Sequence, residues 1–126
     1  MKALKHGNDL LIGGDVMSLS RLEELRRELG ELVSKTPELL MFIEYAGRAE
    51  AAKALDRKTK ELMSLAIGIV VRCEPCILWH TVEAINAGAT MEEVLDTVKV
   101  AVYMGGSPAL AHGIKAYSIA KELLKK

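Results

Sequence analysis

What most constrains this chain is its punctuation. Ser20-x-x-Glu23 and Thr90-x-x-Glu93 have the form of capping boxes. Thr36-Pro37, Cys73-Glu74-Pro75 and Ser107-Pro108 each place a proline just inside a helical start, and Asp56 is a good N-cap. Between these signals, apolar residues recur at helical spacing. Leu22, Leu25, Leu29, Leu32 and Val33 form one stripe, running to about Lys35. Leu39, Phe42, Ile43 and Ala46 form a shorter one before Gly47. Leu62, Leu65, Ala66, Ile69 and Val70 line a helix ending near Arg72, and another spans about Glu74 to Ala87 and stops at Gly88, a C′ residue. Val94, Leu95, Val98, Ala101 and Val102 point inward from the fifth, which closes at Gly105-Gly106. A sixth helix starts at Ser107-Pro108 and carries Lys121, Lys125 and Lys126 toward its C-terminal end. No stretch shows period-two alternation with turn signals. The reading is all-α: an irregular arm over residues 1–16 around Gly7, Gly13 and Gly14, then one helical domain of about six helices over 17–126.

At 126 residues and 50% hydrophobic, the chain can bury a core without a second domain. Lysine plus arginine equal aspartate plus glutamate at 17 each, which gives no electrostatic case for nucleic acid or an anionic membrane surface. The N-terminal stretch lacks a signal peptide's apolar core, and no apolar run has the length of a bilayer span. The two cysteines stand only three apart, too close for the framework of a small secreted protein. They read as redox-active or metal-binding thiols in a reducing, cytoplasmic compartment.

The chemistry gathers between Glu61 and His80. Pro75 sets Cys73 and Cys76 in the first turn of a helix, where unpaired amides and the dipole favour thiolate. His80, at i+4 from Cys76, shares its face and can exchange a proton with the sulfur. Glu61 sits at the edge of the preceding helix's buried stripe, one turn and two turns before Leu65 and Gly68, and the bare glycine lets another helix approach. Measured along the helices, Glu61 lies about 16 Å before Arg72 and His80 about 9–10 Å along the returning helix, so contact between them depends on how the helices cross. A haem attachment is excluded, since Ile77 and not histidine follows Cys76. Trp79 and Tyr117 read as core or subunit-interface residues, His112 as a pocket-lining or solvent-facing histidine, and Gly105-Gly106-Ser107-Pro108 as a helix corner.

The pattern Glu-x11-Cys-x-x-Cys-x3-His, together with Asp56-Arg-Lys-Thr-Lys-Glu-Leu, Asn86-Ala-Gly-Ala-Thr and Tyr103-Met-Gly-Gly-Ser-Pro-Ala-Leu, resembles the alkylhydroperoxidase D branch of the carboxymuconolactone decarboxylase family. The likeness runs from about Ala51 to the C-terminus. One departure stands out: peroxidase members carry a second histidine immediately before the second cysteine, and here that position is Pro75.

The resemblance implies a thiol-dependent peroxidase or disulfide reductase, built as a homotrimer or homohexamer. Glu61 would charge and orient His80, which draws the proton from Cys76; the thiolate attacks a hydroperoxide, and Cys73 resolves the sulfenic acid as a disulfide. The reverse assignment of the two cysteines stays open. Regeneration calls for a dithiol donor, lipoylated or thioredoxin-like, and the scheme needs no bound cofactor or metal. Two other readings compete. One is the decarboxylase activity that names the family, which needs a clamp for a substrate carboxylate. The other is a structural zinc site of Cys73, Cys76 and His80 completed by Glu61 or His112.

Overall fold

The computed structural model describes residues 17–125. The irregular arm expected over residues 1–16 lies outside them. Among the described residues there are six α-helices and no strand: α1 (Met17–Lys35), α2 (Leu40–Glu50), α3 (Arg57–Val70), α4 (Glu74–Asn86), α5 (Met91–Gly105) and α6 (Ser107–Leu124), with a 3₁₀ turn at Pro37–Leu39. The all-α reading holds.

Helices α3 to α6 form the packed centre. Leu65 and Ile69 of α3, Ile77 and Val82 of α4, Val94 of α5 and Leu123 of α6 are all at most 2% exposed. Burying each such side chain stabilises the fold by about 1.5–3 kcal/mol. Small residues set the closest approaches. A Cβ added at Gly113 of α6 would lie 2.7 Å from Val98 of α5, and one at Gly68 of α3 would lie 3.0 Å from the Cβ of Cys76 on α4. The opening foreseen at Gly68 is thus filled by the motif helix.

Local chemistry explains most helix ends. Asp56 caps α3 by accepting from the Thr59 amide at 2.7 Å. Thr90 and Glu93 make the full capping box at the head of α5, with bonds of 3.1 and 3.0 Å. Gly88 takes φ 102° after α4, where the Ala89 amide donates back to the Ala84 carbonyl at 2.9 Å.

Five expectations need correction. The chain is already helical at Met17, so Ser20 lies inside α1; the Ser18 amide and hydroxyl instead find the Glu122 carboxylate of α6, at 3.2 and 2.6 Å. Thr36-Pro37 opens the 3₁₀ turn, and the Thr36 hydroxyl donates to Glu38 without capping a helix. Helix α2 does not stop at Gly47; it continues to Glu50 before the bends of residues 51–56. Leu95, expected inward, is 44% exposed, because only the Val94–Ala101 side of α5 faces α3 and α6. Leu32 of α1 likewise is 53% exposed.

Candidate active site

The site is assembled at the corner between α3 and α4. The last turn of α3 closes as a Schellman motif, with the Cys73 amide donating to Gly68 O at 2.9 Å and the Arg72 amide to Ile69 O at 3.2 Å. Arg72 occupies the left-handed position, φ 62°, where glycine is the usual residue. The corner reverses the chain within three residues and makes Cys73 the N-cap of α4.

Cys73 Sγ accepts a hydrogen bond from the Cys76 amide at 3.2 Å, and the two cysteines form a disulfide with Cα atoms 5.2 Å apart. Glu74 and Pro75 fill the first two helical positions, as proline's missing N–H allows. Both sulfurs therefore sit at a helix N-terminus. His80 follows one turn after Cys76, on the side facing α3 and the end of α2.

The reversal brings Glu61 against His80. Glu61 Oε1 lies 2.7 Å from His80 Nδ1, while its Oε2 accepts from Arg57 Nε at 2.8 Å. The Glu61 side chain is fully buried. Burial is the largest single influence and pushes its carboxyl upward, but the hydrogen bonds from His80 and Arg57 together outweigh it and hold the group below its ordinary value. An ionised carboxylate only accepts, so Nδ1 of His80 carries the proton. The neutral ring then keeps its lone pair on Nε2, ready to take a proton. The gap left open by the helix lengths is closed by the sharp corner.

Glu50, at the end of α2, joins this pair and had no signal in the sequence. Its Oε2 lies 3.5 Å from His80 Nδ1, and its Oε1 lies 3.7 Å from Arg57 Nη2. Burial, followed by the neighbouring Glu61 charge, raises the Glu50 carboxyl above its ordinary value. Lys60 holds the segment in place by donating to the Ala49 and Ala51 carbonyls at 2.9 and 2.7 Å. Arg57 also reaches Glu83, 3.6 Å away, and Glu83 pairs with Arg26, whose guanidinium lies 5.0 Å from the Trp79 ring centroid.

Cys76 and His80 open onto a groove of about 500 Å³ between α1, α2 and α4, a size typical of small-molecule sites. Leu25, Leu29, Phe42, Ile43 and Trp79 make its walls, and Glu50 joins His80 as its polar end. Trp79, expected in the core or an interface, packs on the core and walls the groove. Among the described residues no lysine or arginine lines it. His112 lies elsewhere on α6, its Nδ1 donating to the Pro108 carbonyl at 3.0 Å. Tyr117 is 40% exposed.

The profile of the carboxymuconolactone decarboxylase family matches residues 37–118, more than half of the chain. The chain belongs to that family. A family member from Legionella pneumophila, solved without ligand, shares 35% identity and superposes with a TM-score of 0.78, over 84% of this chain and 96% of its own. A Thermotoga maritima member, described as a possibility in terms of an antioxidative response, is 36% identical with a TM-score of 0.77, over 82% of this chain and 89% of its own. An uncharacterised protein of Cupriavidus necator is 29% identical over 98 residues, 77% of this chain and 87% of that protein. Family membership and the all-α architecture agree with the likeness carried by the Glu61-to-His80 motif.

The cluster most like a metal site departs from the zinc set considered above. Glu50, Glu61 and His80 bring donor atoms within 4.8 Å of one another, without sulfur. The sulfurs are tied to each other, His112 is bonded through Nδ1 to the Pro108 carbonyl, and Arg57 already occupies the second oxygen of Glu61. Among the described residues no helix is long and apolar enough to cross a membrane.

Proposed function

We propose that this protein is a dithiol peroxidase and disulfide reductase, with Cys76 as nucleophile, Cys73 as resolving thiol, His80 as general base and Glu61 as its orienting carboxylate. One observation carries the reading: Cys76 and His80 share an apolar groove, and His80 is held by Glu61 through Nδ1 at 2.7 Å. Nε2 takes the Cys76 proton. The thiolate attacks the terminal oxygen of a hydroperoxide, the O–O bond breaks, and Cys76 becomes a sulfenic acid. The Cys73 thiolate then displaces hydroxide and closes the disulfide.

Reduction runs through the same sulfur. A donor thiolate entering the groove attacks Cys76 Sγ, and Cys73 leaves as a thiolate stabilised by the Cys76 amide, 3.2 Å away, and by the helix terminus. A second donor thiol releases Cys76. A lipoylated or thioredoxin-like dithiol suits this role, in a reducing compartment such as the cytoplasm. The antioxidative description of the Thermotoga relative points the same way. The decarboxylase reading wants a cation for the substrate carboxylate, whereas the described residues that line the groove include none and Arg57 is already shared among three carboxylates.

We further propose a homo-oligomer, a trimer or hexamer. Helix α2 buries none of its eleven residues, while Met41, Phe42 and Tyr45 are 72, 68 and 65% exposed. A helix that short needs packing to persist.

The test is turnover. With a dithiol donor, the protein should consume an organic hydroperoxide catalytically, and Cys76→Ser should abolish consumption. Wild-type protein that consumes neither hydroperoxide nor a small disulfide would refute the assignment.

A further inference from the structure

Breaking a hydroperoxide O–O bond releases an alkoxide, which is a poor leaving group unless it is protonated as it departs. Glu61 is ionised and fully enclosed, and Arg57 and His80 occupy its two oxygens. The position before Cys76 holds Pro75, whose side chain carries no proton to give. Glu50 is the remaining acid of the cluster, and it alone of the two carboxylates lines the groove together with Cys76.

We propose that Glu50 is a second catalytic proton carrier, the general acid that protonates the leaving alkoxide while the Cys76 thiolate attacks. The proposal rests on the peroxidase reading above. In the step, the S–O bond forms and the O–O bond breaks. Cys76 becomes the sulfenic acid, and the departing alkoxide takes the Glu50 proton to leave as an alcohol. The Nε2 proton that His80 took from the Cys76 thiol then returns through solvent in the groove to the Glu50 carboxylate, which resets both groups and leaves Nδ1 bonded to Glu61. Cys73 contributes its own proton to the water released when the disulfide closes.

The surroundings suit an acid that must hold a proton yet give it up. Glu61 and Arg57 face Glu50 from α3, and His80 and Glu83 face it from α4, where Glu83 is itself paired with Arg26 of α1. Burial and the Glu61 charge raise the Glu50 carboxyl, against the lowering pull of His80 and Arg57. Glu61, with its carboxyl lowered, is the opposite member of the pair. Two carboxylates with carboxyl groups driven apart divide naturally into acid and charge stabiliser.

Leaving-group chemistry supplies the test. Oxidation of reduced protein by tert-butyl hydroperoxide expels an alkoxide, whereas peracetic acid expels acetate, which leaves without a proton. Glu50→Gln should slow the hydroperoxide reaction by about 10²-fold while peracetic acid oxidation stays within about twofold, and Glu50→Asp should recover part of the loss. The peracid arm also reports that Cys76 and the fold are intact. Equal effects on both oxidants, or none on either, would overturn the role of Glu50. Wild-type protein that reacts with peracetic acid and with no alkyl hydroperoxide would overturn the peroxidase reading, and Glu50's role with it.

Discussion

Glu61 of α3 and His80 of α4 meet at 2.7 Å across a corner of three residues, and the contact fixes which ring nitrogen is free. Glu61→Gln removes the charge that keeps the proton on Nδ1. Hydroperoxide consumption should fall by about 10²- to 10⁴-fold. Closure of the Cys73–Cys76 disulfide by a strong thiol oxidant should survive, since it does not depend on the relay. Single-turnover rates with and without the variant measure this.

Glu61 also ties stability to pH. Its folded-state carboxyl is lowered, so its ion pairs stabilise the fold above the ordinary glutamate value of about 4.3 and are lost as pH falls through the lower folded value. Wild type should therefore be more stable than Glu61→Gln near neutrality, and the gap should close below about pH 4. Thermal midpoints of both proteins from pH 7 downward test the sign; a gap that widens in acid would contradict it.

Gly68 is the contact that lets the motif helix close on α3. An added methyl would lie 3.0 Å from Cys76 Cβ and 3.6 Å from the Cys76 carbonyl carbon, and helix backbone cannot step aside as a flexible side chain would. Overpacking of this kind costs about 1–3 kcal/mol, and alanine's better helix propensity returns about 1 kcal/mol. Gly68→Ala should thus be destabilised by about 1 kcal/mol net in urea unfolding, with slower hydroperoxide turnover because α4 is pushed from α3 and the His80–Glu61 contact lengthens.

How much of this could be read from residues alone follows from where the signals are local. Asp56, Thr90-x-x-Glu93 and Gly88 work within one helical turn, and the structure keeps each in its expected role. The Glu61, Cys73, Cys76 and His80 set lies within twenty residues and needs only one chain reversal. Glu50 gave no such signal: it reaches the site because Lys60 ties the end of α2 to α3 and because α2 runs past Gly47. Arg57 has no local signal that sets it apart either, since the three carboxylates around it come from Glu50, Glu61 and Glu83 on three different helices. Ser20 misled for a similar reason, since a distant glutamate on α6 serves the α1 start.

The apolar face of α2 bears on assembly. Phe42 and Tyr45 stand exposed with ring centroids 6.4 Å apart, on a helix with no buried residue. Light scattering at micromolar concentration should report a homo-oligomer of three or six copies. Met41→Asp, at a 72% exposed position outside the groove lining, should shift the population toward smaller species without loss of folding. A wild-type monomer would contradict the expectation.

The most direct test of the central claim is which sulfur the oxidant reaches. Cys73→Ser removes the resolving thiol, so a sulfenic acid formed at Cys76 should persist long enough to be trapped by dimedone after one equivalent of an alkyl hydroperoxide. Mass spectrometry should find the adduct on Cys76. Finding none there, with Cys76→Ser instead accumulating a dimedone adduct on Cys73, would show that the nucleophile is the other cysteine and that His80 does not serve it as described.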